Sequence, residues 1–114
     1  MSAQVYTQTI ARAARIVATG HTAIVDAVFA RSEDRTAVER AAQGAGVPFA
    51  GLWLEARPEV LVRRVEQRQA DVSDADVAIV RRQAADDVGP IGWSRINAEA
   101  GLAAMVLEAT AYAA

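Results

Sequence analysis

The chain contains no lysine: all 12 of its basic residues are arginine. That absence excludes Schiff-base chemistry and a lysine general base. It also excludes a phosphate-binding loop of the G-x-x-x-x-G-K-[ST] type, whose lysine reaches the β- and γ-phosphates. There is no cysteine either, so disulfides, thiol nucleophiles and thiolate-ligated metals drop out. One histidine, His21, rules out multi-histidine metal sites and reads as part of a helix-to-strand turn. No apolar run approaches the roughly 20 residues of a membrane span, and the start lacks the charged-then-apolar layout of a signal peptide. The expectation is a cytoplasmic protein.

What is present suits one domain over residues 1–114, with 53% hydrophobic residues, many of them alanine. A net charge of −2 gives no reason to expect nucleic acid or an acidic membrane as a partner. Tyr6, Ile10, Ala13 and Val17 recur at helical spacing and predict a helix over Gln4–Ala18, closed by Gly20. Thr22–Val25 is a short run of mostly β-branched residues and predicts a buried parallel strand Thr22–Asp26. Ser32, Glu33 and Asp34 open a second helix with Ser32 as its cap, and Gly44 and Gly46 end it.

Phe49–Glu55 reads as the next strand. Pro58 stands in the first turn of a third helix that turns Val60, Leu61 and Val65 inward. Ser73-Asp74-Ala75-Asp76 resembles a capping box for a fourth helix to about Ala85, and Gly89-Pro90 breaks the pattern. Trp93–Asn97 is a third strand or a connector. A last helix over Ala98–Ala113 has Leu102, Met105, Val106 and Ala109 as its apolar face. The alternation predicts an α/β three-layer fragment with two or three parallel strands and about five helices.

Candidate chemistry starts with Asp26. A carboxylate at the carboxyl end of a buried strand either caps backbone groups or faces the crevice where α/β sheets bind ligands. Arg64 and Arg68 lie four apart and share a helix face, which is either solvated or an anion clamp. Ser73 reads as a cap, since no histidine base accompanies it. Trp53 and Trp93 read as packing residues, and Asp86-Asp87 as solvated acids at a helix end.

In sequence, AIVDAVF followed by LWLEARPEVLVRRVEQRQADVSDADVAIVRRQ resembles the later half of a P-loop kinase. It is similar to the adenylate-kinase-like ATP-binding domains found beside aminoglycoside-phosphotransferase-like domains. The resemblance spans nearly the whole chain and rests on Asp26, Arg64 and Arg68 in R-x-x-x-R, Val72-Ser73-Asp74-Ala75, and Trp93 before the last helix. It implies that Asp26 holds magnesium through water or orients the acceptor hydroxyl. It implies that Arg64 and Arg68 on a lid clamp the transferring phosphoryl group, and that Arg35 meets a substrate phosphate. Mg2+ and ATP are implied as ligands, with no tight binding expected of this chain alone.

The family's glycine-rich loop with its lysine has no counterpart here, and in the family's sheet the strand preceding that loop lies between Thr22–Asp26 and Phe49–Glu55. Three expectations follow. The chain is a substrate-and-lid half that needs a partner bearing the loop, or a non-enzymatic module that oligomerises through exposed sheet edges, or a truncated product without activity.

Overall fold

The computed structural model describes residues 2–67 and 74–113. In chain order its elements are α1 (Ala3–Ala18), α2 (Ser32–Ala45), β1 (Leu52–Glu55), α3 (Pro58–Gln67), α4 (Asp74–Ala85), β2 (Ser94–Asn97) and α5 (Leu102–Ala113). Among the described residues, five helices and a two-stranded parallel sheet make a small α/β fragment, as the alternation predicts. Two compact units divide the chain: Met1–Phe49 with Val88–Pro90, and Ala50–Asp87 with Ile91–Ala114.

In the first unit, α1 opens on Ser2, whose hydroxyl accepts from the Val5 N–H at 3.3 Å, and carries Arg15 in its last turn, where the helix dipole favours a cation. Gly20 takes a φ of 87° just beyond the end, the left-handed turn expected of it. The stripe Tyr6, Ile10, Ala13, Val17 is the less exposed face of α1, with Tyr6 buried. The helix α2 packs against α1. Its cap position falls to Arg31, which contributes no side-chain bond, so Ser32 is its first helical residue and not its cap. Gly44 lies inside the helix, and Gly46, at φ 68°, ends it with Gly46 and Val47 N–H groups bonding back to Gln43 and Ala42.

The expected strand Thr22–Asp26 is not a strand. Residues 21–31 have no regular structure, and Ile24 is 91% exposed. A β-branched run becomes a strand only where a neighbour completes its ladder, and among the described residues the sheet contains β1 and β2 alone. The core of this unit forms instead around Phe29, which lies beside Tyr6 with ring centroids 5.3 Å apart and planes tilted by 57°. Phe29 has a φ of 50°, a left-handed backbone that is an outlier for a bulky residue. Two helices hold it there. Its N–H donates to the Tyr6 hydroxyl at 2.9 Å, and its carbonyl accepts from Arg35 Nη1 at 2.7 Å. Arg35, 5% exposed, also donates to the carbonyls of Ala30 at 3.1 Å and Val88 at 2.6 Å.

In the second unit, β1 and β2 run parallel with Leu52 opposite Ser94 and Glu55 opposite Asn97. The strand begins at Leu52, later than the expected Phe49, and the segment Trp93–Asn97 does contain a strand. The two strands are joined through α3 and α4, which pack on each other, while α5 packs on β2. Ile96 is almost fully buried at 1% exposure, and Val65 and Ala98 are buried with it. A Cβ built on Gly51 would clash with the indole of Trp93, so glycine is the residue that fits beside that ring as it stands. The apolar face of α5 is exposed at two positions: Leu102 is 77% and Val106 54% exposed. The capping box at Ser73 lies outside the described residues, and no described helix is long and apolar enough to cross a membrane.

Candidate functional site

In the second unit, polar side chains gather at the carboxyl ends of the two parallel strands, the end of an α/β sheet at which ligands bind. Arg57 follows β1 and starts α3, where its carbonyl accepts from the Val60 and Leu61 N–H groups. Glu99 follows β2. Its N–H donates to Asn97 Oδ1 at 2.9 Å, an Asx turn that reverses the chain ahead of α5. The Glu99 carboxylate then reaches Arg57 twice, accepting from the backbone N–H at 3.0 Å and from Nε at 2.9 Å. The hydrogen bond from the Arg57 backbone, the second from its side chain and the nearby charge of Arg64 hold the Glu99 carboxyl below its usual range. Bonding to Glu99 raises the Arg57 guanidinium in turn.

Beside this pair, Arg95 on β2 forms an ion pair with Glu55 on β1, and the Asn97 N–H donates to Glu108 of α5 at 3.5 Å. The connections after β1 and β2 are thus latched to each other by Arg57 and Glu99, 42 residues apart. An arginine so neutralised meets an incoming anion only by exchanging partners with a carboxylate. Arg64 is different. It is exposed on α3 and lines a shallow groove with Leu61, Val65, Val80 and Gln83. On the other flank of the same helix pair, Arg63 and Arg81 line a second groove with Glu59 and Glu66.

The residues singled out by the sequence are distributed as follows. Asp26 is exposed in the irregular segment 21–31, not at a strand end, and its carboxylate has no hydrogen bond or ion pair among the described residues. Arg35 is a buried strut across three backbone carbonyls. Arg64 stands on a groove wall, and Arg68 lies outside the described residues. Asp26 and Arg35 belong to one compact unit and Arg64 to the other. The Arg57–Glu99 latch has no local signature beyond N-x-E directly after a strand, an Asx-turn pattern at a sheet's carboxyl end.

The two parallel strands and the helical crossover between them make an α/β arrangement, and a family match assigns it to the P-loop NTPase-like domains. The chain belongs to the AAA domain family, whose family model matches residues 1–86, three quarters of the 114 residues. The match takes in α1 through α4 and stops before β2. No curated protein and no solved structure gives a significant match.

Proposed function

We propose that the chain is the substrate-and-lid half of an adenylate-kinase-like P-loop small-molecule kinase, of the kind found beside aminoglycoside-phosphotransferase-like domains. In this reading it does not transfer phosphate alone. The observation that carries it is an AAA-domain match across residues 1–86 of a chain that has no lysine anywhere. The lysine and loop that cradle the nucleotide's phosphates must then come from polypeptide outside these 114 residues, in the same chain or another.

Within that reading Asp26 orients the acceptor hydroxyl or holds magnesium through water, and its exposed, unpaired carboxylate suits either duty. Arg64 and Arg68 clamp the transferring group, and Arg64's place on an open groove favours this. Arg35 meets a phosphate only by releasing backbone carbonyls that it now holds, which leaves it a structural duty first. Magnesium enters with ATP as substrate. The residues present fit that ligand in part, with one free carboxylate and one exposed guanidinium, and no group of three His, Asp or Glu among the described residues is placed to hold a metal ion.

Calorimetric titration with magnesium-ATP tests the first part. The expected result is no heat from the chain alone. Micromolar binding that disappears in Asp26→Ala overturns the proposal that the absent loop disables it. A polypeptide carrying strand, G-x-x-x-x-G-K-[ST] loop and helix, added in trans, tests the second part. ATP turnover is expected to appear and to fall at least tenfold in Arg64→Ala, and turnover indifferent to that change overturns the clamp. The exposure of Ile24 and Leu54 favours one other reading, a non-enzymatic module that assembles through its sheet edges.

A further inference from the structure

The second unit has an edge without a strand. Ser94 N–H donates to the Gly51 carbonyl at 3.0 Å and Ala98 N–H to the Glu55 carbonyl at 2.7 Å. In a parallel ladder backbone groups alternate sides, so Gly51, Trp53 and Glu55 turn theirs toward β2. Leu52 and Leu54 therefore turn their N–H and C=O groups to the open edge, where they meet no other partner among the described residues. The Leu54 side chain beside that edge is 57% exposed. An edge of this kind, short, apolar and uncovered, is a template for another strand.

The first unit has a strand sequence without an edge. Thr22-Ala23-Ile24-Val25 is uniformly apolar or β-branched rather than alternating, the pattern of a strand buried on both faces in a parallel sheet. Its backbone groups have no hydrogen bond among the described residues, and Ile24 is 91% exposed. We propose that two copies of this chain exchange these segments: Thr22–Val25 of each copy adds in parallel to the open edge of β1 in the other. The occupant is a second copy because the same chain holds both unsatisfied pieces, and a two-fold pair satisfies both at once.

The exchange also bears on the site. With Ile24 beside Leu54, a parallel register brings Asp26 beside Ala56, next to the Arg57–Glu99 latch. Each carboxyl-end cluster then receives a carboxylate from the other copy. This inference stands on the two unpaired segments and not on the kinase reading, so either can fail while the other survives.

Sedimentation of the purified chain tests it directly, with an expected mass twice the 12.1 kDa of one copy. Ile24→Asp, at a side chain that is 91% exposed within one copy, is expected to return the monomer while the helical circular-dichroism signal is retained. The absence of cysteine allows a second readout. An Ile24→Cys chain mixed with a Leu54→Cys chain is expected to form a mixed disulfide on mild oxidation, in preference to either self-linked pair, since adjacent strands about 4.8 Å apart lie within disulfide reach. A monomer across the concentration range overturns the proposal. So does a dimer that survives Ile24→Asp, or cross-linking confined to like pairs.

Discussion

Tyr6 and Arg35 hold opposite ends of one residue: the Tyr6 hydroxyl accepts the Phe29 N–H at 2.9 Å, and Arg35 Nη1 donates to the Phe29 carbonyl at 2.7 Å. A left-handed phenylalanine persists only where its surroundings over-determine it, and here α1 and α2 each supply one clasp. The Tyr6→Phe substitution leaves the ring contact and removes the hydroxyl that accepts the Phe29 N–H. The expected cost is about 1–2 kcal/mol in urea unfolding.

Arg35 reaches further, from the Phe29 turn to the Val88 carbonyl 53 residues on. Arg35→Ala leaves three carbonyls without their donor, and a loss on the order of 3 kcal/mol is expected in the same assay. Arg35→Lys is expected to recover less than half of it, since an ammonium cannot span carbonyls that a planar guanidinium fork reaches together.

The Glu99 latch gives stability a pH dependence of known sign. A carboxyl held below its ordinary 4.5 is charged more readily in the folded chain than in the unfolded one. Its contribution is therefore fully present above about pH 4.5 and is lost as pH falls through the lowered folded value. Urea midpoints measured from pH 6 down to pH 3 are expected to fall more steeply in the native chain than in Glu99→Gln. Identical slopes would show that Glu99 takes no part in the acid limb.

Gly51 is fixed by Trp93. Gly51→Ala pushes a methyl group into the indole, and a loss of about 1–3 kcal/mol is expected, as for other overpacked contacts. The displaced ring is expected to shift the tryptophan emission, which has only Trp53 and Trp93 as sources.

The helices were legible because their signals are local. The stripe Tyr6–Ile10–Ala13–Val17 is the less exposed face of α1, Pro58 is the first residue of α3, and Gly46 closes α2 with a positive φ. Thr22–Asp26 misled because a strand is a property of a pair, and no neighbour completes its ladder. The apolar stripe of α5 shows a related limit of local pattern: periodicity identifies the stripe but not whether anything covers it, and Leu102 and Val106 are exposed. Asp26 and Arg64 stand out in the sequence by residue type alone, whereas the Arg57–Glu99 contact joins positions 42 apart and leaves only the local N-x-E turn pattern at Asn97–Glu99.

The outward face of α5 has a thermodynamic consequence. Leu102, Val106 and Leu107 are already hydrated in the folded chain, at 77%, 54% and 74% exposure. Unfolding wets little new surface there, so the heat-capacity increment is expected to fall below the roughly 1.4–1.7 kcal/mol/K usual for 114 residues. A shallow increment flattens the stability curve against temperature. Burial of that face by any added surface would be recognised by a strongly negative heat-capacity change on binding.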